Sequence, residues 1–232
     1  MKIGIRIQAR MNSRRLPGKV LAPILGKPML QYVIERVKSS EKRLPYVVMT
    51  SQNDADDSIA EFCQGLGVPV YRGSLDNVAE RMSSAAVSQG FDAFVRVSGD
   101  SPLLDQRIIS RAVDLFESGN FDLVTNISPR TFPKGQSVEV IRTSFFKRRL
   151  AFISDRKDQE HVTSAFYQNP DQVSIRNIEA EHDNSQIQLS VDTEEDRMNE
   201  EAVFSSMRLP HWDYDLDSVL RILQSLNPGS VF

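Results

Sequence analysis

Four cationic side chains, Arg10, Arg14, Arg15 and Lys19, surround one hydroxyl, Ser13, and a Pro17-Gly18 pair in the stretch QARMNSRRLPGKV. The stretch directly follows the short apolar run of MKIGIRI. A Gly/Pro-containing loop between a first strand and a first helix is suited to phosphate. Its backbone N–H groups point into the bend, and Arg or Lys adds charge-assisted hydrogen bonds. Two well-known loops of this kind are excluded. A Walker A loop needs G-x-x-x-x-G-K-[ST], but Gly18-Lys19 is followed by Val20 and position 13 is Ser13. No G-x-G-x-x-G occurs either. An Arg-rich loop with a Lys at its exit suits a triphosphate whose charge must be neutralised while it reacts. The alternative is a solvated run of charge on a surface loop.

Carboxylates follow in two places. VRVSGDSPLLD ends a strand on a Gly-Asp-Ser-Pro turn, and Asp100 is placed there to reach a metal over a sheet edge; as an alternative it is a turn or capping residue. In LSVDTEEDRM an apolar run again ends on an Asp, Asp192, before an acidic helix that Asp192 or Thr193 could cap. A third segment, YRGSLDNVAERM, offers Ser74, Asp76 and Arg81, or else a helix start capped by Ser74.

These groups need a scaffold that brings them to one place. Runs readable as strands (IGIRIQA, PYVVMTS, VPVYRG, DAFVRVSGD, FDLVTNI) alternate with helical patterns, among them KPMLQYVIERVKSS and DADDSIAEFCQGLG, the latter with Asp54 as its expected cap. Such alternation implies parallel strands joined by right-handed crossovers, hence an α/β sheet covered by helices. Ligands bind beyond the carboxyl ends of the strands in such sheets, and both the loop at Gln8–Lys19 and the Asp100 turn lie at such ends. After residue 128 the pattern loosens. SVEVIR, DQVSIRNIEA and SQIQLSV read as strands, the last two antiparallel. SFFKRRLAFIS, DQEHVTSAFYQ and the C-terminal EEDRMNEEAVFSSM and LDSVLRILQSL read as helices. We expect a single domain over 1–232 with a smaller α+β subdomain inserted at 129–188, before the sheet resumes.

Composition narrows the function. With 232 residues, 40% of them apolar, a substantial core is available. The net charge of −3 argues against a nucleic-acid partner, so the basic cluster is local and fits a compact anion. There is one cysteine, Cys63, and no run of about 18 apolar residues, so we expect no membrane partner and a cytoplasmic location. The three histidines are scattered and give no zinc-site spacing.

The loop resembles the signature of the CMP-sugar-synthesising cytidylyltransferases, which include the CMP-Kdo synthetases and the enzymes of spore-coat polysaccharide synthesis. Ala9, Arg10, Ser13, Arg15, Leu16, Pro17, Gly18 and Lys19 match the pattern A-R-x-x-S-x-R-L-P-G-K, and Gly26, Lys27 and Pro28 match the G-K-P that opens the next helix. The resemblance implies a Rossmann-like, GT-A-like nucleotidyltransferase fold and transfer of CMP from CTP to a sugar acid, with release of pyrophosphate. It implies that Ala9, Arg10, Ser13, Arg15 and Lys19 hold the nucleotide, with Arg10, Arg15, Lys19 and Asp100 serving catalysis. It implies Mg²⁺ on Asp100 and Asp192, and nucleotide contacts from Ser74, Asp76 and Arg81. The segments FPKGQSVEV and QEHVT are similar to the spore-coat branch and imply acceptor contacts from Glu139, Glu160 and His161. Ser137 stands where that branch usually has Asp. A homodimer is the family expectation. Rival readings are a related transferase using another nucleotide or acceptor, and a nucleotide-binding homologue that does not turn over.

Overall fold

The computed structural model describes residues 1–75, 77–88, 90–150, 163–168 and 172–228. The first strand, β1 (Ile3–Gln8), alternates strictly: Ile3, Ile5 and Ile7 enter one core while Arg6 and Gln8 face the other side. A two-stranded hairpin, β2 (Pro23–Ile24) and β3 (Lys27–Pro28), precedes helix α1 (Met29–Lys38). Met29, Leu30, Val33 and Val37 form the buried stripe of that helix, and Pro28 sits at its N-cap. There follow β4 (Tyr46–Ser51), α2 (Asp57–Gly65), β5 (Val70–Gly73), α3 (Val78–Ser88), β6 (Ala93–Ser98), α4 (Gln106–Glu117) and β7 (Leu123–Thr125). The turn before α2 is capped by Asn53, which accepts from the Ala55 N–H at 3.0 Å; Asp54 was the sequence expectation, but it lies inside that turn.

The remaining elements are β8 (Glu139–Arg142), α5 (Thr143–Leu150), α6 (Ser164–Gln168), β9 (Ile175–Asn177), α7 (Glu194–Ser205) and α8 (Leu216–Leu226). The seven-stranded sheet has the order β5-β4-β1-β6-β8-β7-β9. Only β8 runs against its neighbours. This is the mostly parallel, helix-flanked sheet expected for a nucleotidyltransferase. Strand order reverses between β1 and β6, which opens a crevice at their carboxyl ends. One core packs Ile5, Ile7, Val95 and Val97 under α1, α4, α7 and α8. The other packs Met49, Phe94, Ile141 and Phe146 under α3, α5 and α6.

The second half departs from the sequence reading. β9 pairs parallel with β7, and the stretch 185–191 supplies one isolated bridge, Gln188 to Lys134, in place of an antiparallel strand. Its backbone is committed elsewhere: Leu189 N donates to Lys134 O at 2.8 Å and Val191 N to Asp100 O at 2.9 Å. Within 129–188, β8 and β9 are strands of the main sheet, and among the described residues no strand follows residue 188, so the sheet does not resume there. Among the described residues no helix is long and apolar enough to cross a membrane.

Candidate active site

The crevice is shaped by a glycine. Gly99 N donates to Gln8 O at 2.8 Å. A Cβ on Gly99 would lie 3.0 Å from that oxygen and 3.1 Å from Ala9 Cβ. Gly99 therefore lets the turn after β6 fold across the end of β1 and brings Asp100 over the first loop. That loop is folded on itself. Gly18 (φ 75°) and Ser13 both donate to Met11 O at 2.9 Å, and Ser13 Oγ accepts from Leu16 N at 3.4 Å. Met11 N donates to Asp56 Oδ1 at 2.7 Å, while Asp56 Oδ2 accepts from Ser51 N at 3.0 Å. Burial pushes the Asp56 carboxyl up, but the hydrogen bonds from Met11 and Ser51 hold it below the usual range. Asp56 thus ties the loop to the end of β4. Sequence reasoning missed it because Asp56 lies in an acidic run that reads as an ordinary helix start.

Past Gly18 the chain makes a single 3-10 turn, Lys19–Leu21, which buries Lys19. The ammonium Nζ donates to Asp100 Oδ2 at 2.7 Å, Val191 O at 2.8 Å and Asp192 Oδ1 at 2.9 Å. All three N–H bonds are thereby used on the sheet edge, and Lys19 points at the carboxylates, where the sequence reading aimed it at phosphate. Asp192 Oδ2 also receives Arg15 Nη2 at 2.9 Å; the Arg15 side chain is 65% exposed and Asp192 27%. Burial raises the Asp192 carboxyl, and the hydrogen bond and charge of Lys19, with Arg15, outweigh it and hold the carboxyl below its ordinary value. Asp100 Oδ1 accepts from Ser98 Oγ at 2.6 Å. Asp192 itself does not cap α7. Thr193 does, in a reciprocal box with Asp196, whose Oδ2 also accepts from Asp192 N at 2.9 Å. Residues 81 and 173 positions from Lys19 thus meet at one ammonium.

Two partly exposed carboxylates aimed at one cationic position fit a hard divalent ion. Mg²⁺ takes one or two carboxylates and completes its octahedron with phosphate and water. No cluster of three or more His, Cys, Asp or Glu that could hold a metal occurs among the described residues.

The segment after β5 is built around a buried arginine. Arg81 Nη1 donates to Ser74 O, and Ser74 Oγ accepts from Asn77 N at 3.1 Å. Asn77 caps α3 by accepting from Glu80 N at 2.8 Å, so Ser74 supports the cap without being it. Burial lowers the Arg81 guanidinium pKa, Asp56 opposes this and Arg10 adds to it. Arg10 and Arg81 thus share one electrostatic neighbourhood beside the loop. Ala9 is buried, its N–H donating to Met49 O at 3.0 Å. Asp76 lies outside the described residues, as do Glu160 and His161.

Glu139 is buried in the opposite wall. Its Oε2 receives Arg96 Nη1 at 2.5 Å and its Oε1 receives the Tyr167 hydroxyl at 2.5 Å, which lies 2.9 Å from Thr125 Oγ1. Burial, with the Glu139 charge behind it, pushes the Tyr167 phenol up, so it stays protonated. Arg130 Nη2 donates to Ser137 Oγ at 3.0 Å. Arg96, Tyr167 and Arg130 were missed by motif reading. The available signal was Arg96 alternating with Val95 and Val97 on a strand that ends at Asp100.

A family model described as cytidylyltransferase matches residues 4–219. The spore coat polysaccharide biosynthesis protein SpsF of Bacillus subtilis is 29% identical over 208 residues, 85% of this chain and 84% of that protein. The 8-amino-3,8-dideoxy-manno-octulosonate cytidylyltransferase of Shewanella sediminis is 36% identical over 132 residues, 54% of this chain and 52% of that one. A solved cytidylyltransferase from Leptospira borgpetersenii superimposes with a TM-score of 0.93 at 30% identity, covering 100% of this chain and 99% of its own.

Proposed function

We propose that this chain, which belongs to the cytidylyltransferase family, transfers CMP from CTP to a hydroxyl of a sugar acid, releasing pyrophosphate, for a surface polysaccharide or glycan. The single observation that carries the reading is the meeting of Lys19, Arg15, Asp100 and Asp192 at the β1/β6 crevice. The Shewanella relative, whose name gives a sugar-acid substrate, supports the acceptor class.

The acceptor hydroxyl oxygen attacks the α-phosphorus of CTP and releases its proton to solvent, the bond to the β-phosphate oxygen breaks, and pyrophosphate departs with the electron pair. Catalysis is positioning and charge neutralisation, with no covalent enzyme intermediate. Arg10, Arg15 and the backbone of the loop hold the phosphates, and Arg15 can pass from Asp192 to phosphate because its side chain is mostly in solvent. Ser13 shapes the loop through Leu16. Arg81 and Ser74 build the nucleotide-side wall. Lys19 neutralises the two carboxylates and fixes their separation. Asp100 and Asp192 would hold Mg²⁺, which when bound would supply Lewis-acid polarisation and acidity for the acceptor hydroxyl.

Pyrophosphate release measured with CTP, UTP, GTP and ATP against a set of 2-keto sugar acids tests this. Release with CTP and an acid, dependent on Mg²⁺, is expected. Preference for another nucleotide, or none of the four supporting release, refutes the reading.

A further inference from the structure

The sheet face under α3, α5 and α6 changes character along its strands. Toward the amino ends of the parallel strands it is apolar, with Phe94 and Leu123 both register-paired to Ile141. Two residues further toward the crevice, register pairs Arg6 with Arg96, Arg96 with Glu139, Glu139 with Thr125, and Thr125 with Asn177. Five adjacent strands thus present one polar row. Such a row is expensive to desolvate and is not needed to close a core that Phe94, Ile141 and Phe146 already fill.

Within the row the groups differ in what they have left to offer. Glu139 has both oxygens engaged and its side chain is 2% exposed, so it is closed to a ligand. Arg96 is 25% exposed, and among the described residues it makes, beyond its bond to Glu139, only a long contact, Nε to Gln8 Oε1 at 3.4 Å. Arg130 donates to Ser137 Oγ and, at 3.4 Å, to Pro133 O, and forms no ion pair among the described residues. Arg6, Arg96 and Arg130 carry three positive charges against the single carboxylate of Glu139 in this described cluster. Among the described residues the balance lacks an anion. Ser98, two residues beyond Arg96 and about 7 Å along the strand, donates to Asp100. An anion on Arg96 therefore reaches the reacting edge within the length of one sugar unit.

We propose that Arg96 and Arg130 are the recognition pair for an anionic group of the acceptor, with Glu139 and Tyr167 as positioning residues that fix the Arg96 guanidinium. The proposal rests on the cytidylyl-transfer reading and names the groups that select its acceptor. It also explains Ser137: a carboxylate there would sit on Arg130 and cancel the charge.

The test uses the full chain saturated with CTP and Mg²⁺, with thermal shift and pyrophosphate release as readouts. The probes are 3-deoxy-manno-octulosonate, its C1 amide, glucose 1-phosphate and glucose. An anionic sugar is expected to act, with amide and glucose at least about 10-fold weaker. Arg96→Gln raises the acceptor KM roughly 10- to 100-fold, leaves the CTP KM within about twofold, and no longer separates acid from amide. Ser137→Asp weakens the acid about 10-fold by neutralising Arg130, and serves as the second variant should Arg96→Gln fold poorly. Tyr167→Phe shifts acceptor KM more than kcat, and Glu139→Asp partly restores what Glu139→Ala loses. The acid and phosphate arms tell a carboxylate site from a phosphate site, and either one, if sensitive to Arg96, upholds the proposal. Equal use of acid and amide, no response to either anion, or undiminished discrimination in both Arg96→Gln and Ser137→Asp overturns it. Failure of CTP alone to stabilise the wild type strikes the cytidylyl-transfer reading instead.

Discussion

Replacing Lys19 by Met tests the geometry on which the site depends. The side chain is 10% exposed and serves Asp100, Asp192 and the Val191 carbonyl at 2.7, 2.9 and 2.8 Å. Removing one partner of a buried ionic cluster costs about 3–5 kcal/mol; the carboxylates here are about a quarter exposed, which lowers the expectation to roughly 2–3 kcal/mol. For a chain of this size that is a Tm loss of roughly 5–10 °C at neutral pH. The pH dependence gives the sharper signature. The Asp192 carboxyl is held below its ordinary value, so its contribution is present above the unfolded value of about 3.9 and disappears as pH falls through the lower folded value. Without the ammonium the Asp192 carboxyl loses the partner that holds it down, its folded pKa moves up, and protonation relieves the variant as pH falls. The gap between wild type and variant therefore narrows with acidification. Adding Asp192→Asn to Lys19→Met recovers part of the loss. Calorimetry across pH 4–7.5 reads all three quantities. A gap under about 2 °C, or one that stays constant over that range, refutes the arrangement.

Three further outcomes are expected. Asp100→Asn abolishes Mg²⁺-dependent pyrophosphate release and keeps the circular-dichroism spectrum; full turnover in that variant counts against Asp100 as a metal carboxylate. Gly135→Ala puts a Cβ 2.1 Å from Leu189 O at a residue with φ 95°, and should cost about 3 kcal/mol or more, so a Tm within about 2 °C of wild type contradicts the contact. His211 has its pKa lowered to about 4, chiefly by burial and against the opposing Glu35, whose Oε2 lies 2.8 Å from Nε2. Since the unfolded imidazole titrates near 6.5, stability is full above that value and is lost as pH falls toward 4, by up to about 3 kcal/mol. Urea melts of His211→Asn should show a flatter profile over that window.

Periodicity made the amino-terminal half legible. Strict alternation in IGIRIQ and the α1 stripe are local signals, and the loop and the Asp100 turn follow apolar runs whose ends mark the sheet edge. Lateral order is not local. Nothing in EVIR says that β8 runs backwards between β6 and β7, because that depends on what β6 lacks on its open side. The stretch SQIQLSV has the composition of a strand, but its hydrogen bonds go to Lys134 and Asp100, contacts more than 50 residues away in sequence. At the site, residue types were readable and directions were not. Lys19 belongs to a phosphate-type loop by motif, yet a 3-10 turn after Gly18 swings its ammonium onto the carboxylates. Glu139 was singled out by resemblance, but its grouping with Arg96 and Tyr167 was invisible because the three come from separate strands and a helix and share no spacing.

The stretch from Ile187 to Asp192 is a strap fastened at both ends. Lys134 N donates to Ile187 O and Leu189 N to Lys134 O, while Val191 N donates to the Asp100 carbonyl. One end is stitched to the segment that leads into Ser137 and Glu139; the other bears Asp192. Under the proposed function, acceptor selection and reactivity are consequently not separable modules in this molecule. Insertions or swaps in the Pro133–Gln136 bend would tug directly on Asp192, so change in this region is channelled into side-chain replacement on a backbone path that must stay constant.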